Sequence, residues 1–175
     1  RSNRWAEHRT VVVVSSPVPS NPSTATLQAV FRSFSLVDGL PHCRKLVQLD
    51  GPQRSLEKKR VRAYKEFGRR VRRLAASEVS FARTHVHMSD RFLFAAHNVA
   101  AAVRRVVTDF MLLMQHDFML ARPFDAAGLL RTMRRHATVK HVRLNARPNI
   151  ERGFAPALPN WTSAGRSVPL ARPFR

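Results

Sequence analysis

The 175-residue chain has one cysteine, six glycines, one tyrosine and eleven acidic residues, and each shortage excludes something. A lone Cys43 rules out an intrachain disulfide and any zinc site built on several cysteines, so folding needs no oxidising compartment. Six glycines exclude a collagenous or glycine-rich repetitive chain. No apolar run nears the roughly 20 residues of a membrane-spanning helix; Val11 to Val14 and Phe110 to Met114 are four and five residues long. The sequence holds no G-x-G-x-x-G, no G-x-x-x-x-G-K-[ST], no G-x-S-x-G and no H-E-x-x-H. Dinucleotide oxidoreductases, P-loop enzymes, α/β-hydrolases and zinc hydrolases thereby lose their strongest signals.

What is abundant is positive charge. Thirty-one Lys and Arg against eleven Asp and Glu give a net charge of +20, and 26 of the 31 bases are Arg. Such a balance is the electrostatic footprint of a protein that meets phosphates, because each base near a phosphate releases counterions. The densest run is KKRVRAYKEFGRRVRR, Lys58 to Arg73, with nine bases among sixteen residues and Tyr64 and Phe67 between them. RNA is one partner for this run, as in an organellar ribosomal subunit. A nucleoside diphosphate is another anionic partner. The third reading is a solvated helix face, with Val61, Tyr64, Val71 and Leu74 near helical spacing.

Hydrophobic residues make up 44%, enough for one core in a chain of single-domain length. Thr10 to Val14 is a β-branched run bounded by serines and prolines, and its apolar continuity suits a parallel strand. Ala25 to Val37 carries Leu27, Val30, Phe31, Phe34 and Val37 at spacings of three and four, a helix with Ser23 or Thr24 as cap. Arg44 to Leu49 reads as a second strand halted by Asp50-Gly51-Pro52, which completes a βαβ unit. A long basic helix over Ser55 to Ala76 follows, with a break at Gly68, and then a strand or irregular crossing over Glu78 to His87. A helix over Phe92 to Val107 leads into a central strand over Asp109 to Met114. A helix from about Ala126 to His136 and a strand over Val139 to Leu144 close the domain. The fold class expected is α/β: a three-layer, Rossmann-like, mostly parallel sheet flanked by helices, over residues 1–149. Residues 150–175, rich in Pro and Arg, read as a loop or arm. Arg1 in place of Met suggests an excised or processed piece.

In an open α/β sheet the ligand sits beyond the carboxyl ends of the strands. Those ends deliver Ser15 and Ser16, Asp50, and Gln115-His116-Asp117. Hydroxyls and amides there suit a base or ribose, Asp50 suits a base N–H or a ribose hydroxyl, and Asp117 suits a divalent metal bridging a diphosphate. Asp50 also suits a simple turn before Gly51-Pro52, and Ser15 and Ser16 a strand end. Asp117, directly after MLLMQH, is costly to bury unpaired and belongs at an opening or on a metal. His116 is read as packing or a hydrogen bond rather than a ligand.

The order TVVVVSSPVPSNPST, KLVQLDG, HNVAAAVRRVVTDFMLLMQHDFMLARPFD and VKHVRLNARPN resembles the nucleotide-diphospho-sugar glycosyltransferases of the GT-A fold, family 2-like, in their donor-binding portion. The resemblance covers about Thr10 to Asn149. It implies transfer of a sugar to an acceptor hydroxyl with manganese or magnesium as cofactor. By position, Ser15, Ser16 and Asp50 contact the nucleoside, Asn98 faces the donor and Asp117 holds the metal. Gln115 stands in the first place of the family's D-x-D, where an amide oxygen is the weaker ligand. The acceptor-binding half would begin near where this chain stops, and no catalytic base is named. The alternative is a non-catalytic, basic, RNA-binding structural protein. The location expected is soluble, either cytoplasmic or organellar.

Overall fold

The computed structural model describes residues 8–15, 22–53 and 55–144. The chain divides into two units, 1–139 and 140–175. All regular secondary structure described lies in the first: β1 (Arg9–Ser15), α1 (Ala25–Ser33), β2 (Arg44–Leu49), α2 (Lys58–Ser77), β3 (Thr84–Met88), α3 (Phe94–Val103), β4 (Phe110–Gln115) and α4 (Ala126–Arg135), with short 3-10 turns at Phe34–Leu36, Leu40–His42 and Val79–Phe81.

The four strands form one sheet in the order β3-β2-β1-β4, and every pairing is parallel. This is the Rossmann-like α/β architecture. Parallel neighbours require crossover helices. Alternation along β1 divides the core between two faces. Val11 and Val13 join Val47, Leu49 and Met114 under Leu27, Val30 and Phe31 of α1 and Tyr64, Phe67 and Val71 of α2. Val12 and Leu46 point the other way, toward Ala102 of α3. Phe31 and Phe81 stack at 3.9 Å inside the larger cluster.

The helix α2 runs unbroken through Gly68, correcting the break expected there. Gly68 is buried, and a Cβ on it would stand 2.5 Å from the Met88 Cε. The glycine lets α2 settle onto β3 rather than ending it. The strand over Asp109 to Met114 forms as β4, but among the described residues it is the terminal strand rather than a central one. Its Met111, Leu113 and Gln115 row is exposed. The strand expected over Val139 to Leu144 does not form. Val139 falls on the opposite face from Val142 and Leu144, so its apolar residues are divided between two faces, and the Val139 amide instead closes a turn onto the His136 carbonyl at 2.9 Å. The expected domain limit at 149 and the arm over 150–175 end in residues outside those described. Ser23 Oγ accepts from the Ala25 amide at 3.3 Å at the start of α1, while Thr24 Oγ1 accepts from the Gln28 side chain.

At the amino edge of the sheet Lys45 is only 2% exposed. Its ammonium donates to the carbonyls of Pro41, Cys43 and Ala82, tying the entry of β2 to the turn before β3. Burial lowers its pKa to about 8, against the pull of Cys43 beside it. Between pH 8 and 10.5 the unfolded chain holds a proton that the folded one releases, so this lysine's contribution to stability rises with pH across that window. Burial pushes the Cys43 thiol up, which works in the opposite direction. The stability of the wild type relative to Lys45→Met should therefore increase from pH 8 to 10.5, read as the difference in urea midpoints. A difference that stays flat would place the lysine's titration elsewhere.

Candidate functional site

The crossovers β1-α1-β2 and β2-α2-β3 step in one direction across the sheet, with α1 and α2 on one face. The next crossover, through α3, lies on the opposite face and returns past β2 and β1 to place β4 on the far side of β1. The direction of winding thus reverses between β1 and β4, the place at which open α/β sheets hold their ligands; the loop that leaves β1 lies outside the described residues.

The register sets Ser15 opposite Leu49, and Val14 opposite Gln115, so the three strand ends lie side by side. One further hydrogen bond extends the ladder on each side: the Asp50 amide donates to the Ser15 carbonyl, and the His116 amide to the Val14 carbonyl, both at 3.0 Å. Beyond β4 the Phe118 amide returns to the Gln115 carbonyl at 3.2 Å. That turn carries His116 and Asp117 at its tip. Gln115 and Asp117 are exposed, and among the described residues Asp117 makes no ion pair or side-chain hydrogen bond. The loop that follows is anchored where the Leu120 amide donates to Ser33 Oγ, which itself donates to the Val30 carbonyl. Asp125 accepts from the Gly128 amide at 2.7 Å and caps α4.

Asp50 is 1% exposed. Its Oδ1 accepts from the amides of Gly51 at 2.8 Å and Leu93 at 2.7 Å, and its carbonyl accepts from the Tyr64 hydroxyl. Burial, and secondarily the Asp50 charge, hold the Tyr64 pKa far above its ordinary value, so the phenol remains a donor. Gly51 has no alternative here, since a Cβ would lie 2.2 Å from the backbone of Arg91. Asp50 therefore knots β2, α2 and the approach to α3 just behind the crevice.

Asn98 is 3% exposed. Its Nδ2 donates to the Ser15 carbonyl at 3.3 Å, and its Oδ1 accepts from Gln48 Nε2 at 3.0 Å, which also reaches Ser89 Oγ. Both ends of the Asn98 amide are thus engaged inside the chain, and Ser15 is itself buried. Ser16 lies outside the described residues. Gln48 and Ser89 were not singled out from the sequence, although Gln48 is the one polar residue in the apolar segment LVQL, where a buried strand should have none without a partner.

Among the described residues no three His, Cys, Asp or Glu gather as a metal site. The tip of the β4 turn offers one carboxylate, with an amide and an imidazole on neighbouring residues. That set is too sparse to hold a cation by itself. It suits magnesium or manganese carried mainly by phosphate oxygens, a common arrangement for magnesium with nucleotides.

The outer face of α2 is a second candidate. All nine bases between Lys58 and Arg73 are exposed, while Tyr64 and Phe67 are buried against the sheet. Only Arg69 and Arg70 find an acid on the helix, Glu66, at 3.1 and 3.0 Å. The hydrogen bond from Arg70 holds the Glu66 carboxyl below its usual range.

Fold and crevice together define an open Rossmann-like α/β domain, and no helix among the described residues is long and apolar enough to cross a membrane. In comparisons with known proteins, no family model, curated protein or solved structure matches the chain.

Replacing Asn98 with Leu removes two buried hydrogen bonds, at about 0.5–1.5 kcal/mol each; the Ser15 carbonyl keeps the Asp50 amide and Gln48 Nε2 keeps Ser89 Oγ. Chemical denaturation should report a loss of about 1–3 kcal/mol. A loss under about 0.5 kcal/mol, the range of neutral surface changes, would mean that the network does not hold the edge.

Proposed function

We propose that the crevice between β1 and β4 binds a nucleoside-diphosphate sugar together with a divalent metal, and that the domain serves transfer of the sugar to an acceptor hydroxyl. The observation that carries this reading is Asp117: an exposed carboxylate with no partner, on the turn that leaves β4 at the switch point. Asp38, Glu57, Glu78 and Asp90 are likewise exposed without an ion pair among the described residues, and what sets Asp117 apart is its place on the turn that leaves β4 at the switch point.

The chain's own residues divide the work. Asp117 offers the anionic oxygen toward the cation, with the Gln115 amide oxygen beside it as a neutral and weaker ligand. When bound, the divalent ion neutralises charge on the departing diphosphate. Asp50, Asn98 and Gln48 fix the strand ends so that the loops bearing the ligand contacts keep their spacing. No residue is assigned as base for the acceptor hydroxyl.

The Asp117→Asn variant should lose manganese-dependent binding of nucleoside diphosphate in calorimetry while its melting temperature stays within about 2 °C, as expected for a surface change. Manganese without nucleotide should bind neither protein measurably. Retained, metal-dependent nucleotide binding in the variant would remove Asp117 from the site.

A second reading is favoured by the exposure of all nine bases on α2: an RNA-binding surface, on which the phosphate backbone lies along the helix. Tyr64 and Phe67 are core residues, so binding there would proceed by charge without base stacking on either ring. RNA affinity should fall with salt at a log–log slope of several units, and charge reversal at Lys58, Arg62, Lys65 and Arg69 should flatten that slope. A slope near zero in the wild type would dismiss this surface.

A further inference from the structure

Phe94, the first residue of α3, has a backbone φ of 61°. The left-handed region is uncommon for any residue with a Cβ and an outlier for a bulky one. Such a conformation persists only where the surroundings impose it. Here the imposing contacts are visible. The Leu93 amide is fixed at 2.7 Å to the Asp50 carboxylate, and the Arg91 backbone lies against Gly51 where a Cβ would overlap it. The chain enters α3 under constraint from both contacts.

The strain does not serve burial. The Phe94 side chain is among the exposed large apolar groups, at 65%, and its ring is backed by Phe92 with centroids 4.4 Å apart and planes tilted by 55°. A strained backbone that turns an aromatic ring outward gains neither hydrophobic free energy nor local conformational preference. Its place in the fold supplies a reason. Leu93 bonds Asp50, and the Asp50 amide bonds the Ser15 carbonyl, so Phe94 stands at the carboxyl edge beside the ends of β2 and β1. Phe118 is also exposed, but among the described residues it has neither a positive φ nor a ring contact.

We propose that Phe94, propped by Phe92, is the platform on which the nucleobase of the bound nucleotide stacks; this rests on the nucleotide-binding reading of the crevice. Every base has a π-face, so stacking on an aromatic side chain tolerates different bases. The platform therefore contributes affinity for nucleosides as a class, and the choice of base falls to other groups.

Calorimetry with manganese, using UDP, GDP and inorganic pyrophosphate on the wild type and on Phe94→Ala, Phe94→Tyr and Phe94→Gly, tests this. The Ala and Gly variants should bind both nucleotides about tenfold more weakly and pyrophosphate as well as the wild type does, whereas Tyr should restore nucleotide binding. Phe94→Gly should melt no lower than the wild type, because glycine adopts this φ without a Cβ penalty. Unchanged nucleotide affinity in Phe94→Ala overturns the platform alone and leaves the donor site standing. An equal loss for pyrophosphate also overturns it, since the change would then act through the fold. Absence of manganese-dependent nucleotide binding in the wild type overturns the donor-site reading, and the platform falls with it.

Discussion

The handedness of the β-crossover-β connection governs this molecule. A right-twisted strand followed by a helix returns to a parallel neighbour almost only in the right-handed sense. Two successive steps in one direction therefore put α1 and α2 on the same face, and a helix can reach the other face only if the direction of stepping reverses. The reversal occurs once among the described strands, after β3, and its products are a second apolar face under α3 and a switch point between β1 and β4. The switch point is thus a consequence of winding and precedes any choice of residues at it. Sequence enters by deciding which groups the strand ends present there.

Those groups fall into two kinds that look alike in one dimension. Asp50, Asn98, Gln48 and Ser15 are buried and occupied, while Gln115 and Asp117 are exposed. A polar group taken from water without a partner loses free energy comparable to the hydrogen bond it forgoes. The buried set bonds within the chain across elements, β2 to α3 through Gln48 Nε2 and Asn98, β1 to α3 through Ser15, and β2 to the approach of α3 through Asp50, while Gln48 Oε1 is buried without a hydrogen-bond partner among the described residues. The same contacts that satisfy these groups hold α3 against the sheet, and they impose the strained backbone of Phe94. Support behind the edge and display in front of it are two results of one arrangement.

Much of the fold was legible because parallel strands and amphipathic helices leave simple marks. The run TVVVV could only be a buried strand, RKLVQL stopped where Asp50-Gly51-Pro52 says it must, and the α/β class followed from the alternation. Gly68 misled because a glycine in a helix signals weakness on local propensity, whereas its use here is contact with Met88, a residue twenty positions away. Val139 to Leu144 misled because β-branched content suggested a strand where the apolar residues are divided between two faces. The edge position of β4 was hidden for a related reason: Phe110 to Met114 is apolar throughout, and such a run does not reveal that only its Leu112 and Met114 row packs on the core. The site was legible to the level of which strand ends converge. Whether a polar residue there faces inward or outward depends on partners such as Ser89 and Leu93, which no local pattern announces.

The charge distribution links the two surfaces. With a net charge of +20, the domain surrounds itself with a positive potential that concentrates anions and repels cations. A free divalent ion approaching one carboxylate meets that repulsion with a single charge in its favour. A nucleoside diphosphate is drawn in by the same field, and once bound it brings phosphate oxygens that can carry the metal. On the proposed reading, the order of events that electrostatics favours is ligand and metal together, with Asp117 as the anionic group on the turn that leaves β4. The sparse acid content that would be a defect in a dedicated metal site suits the proposed site, whose primary ligand would be an anion, and the exposed bases of α2 add to the same field.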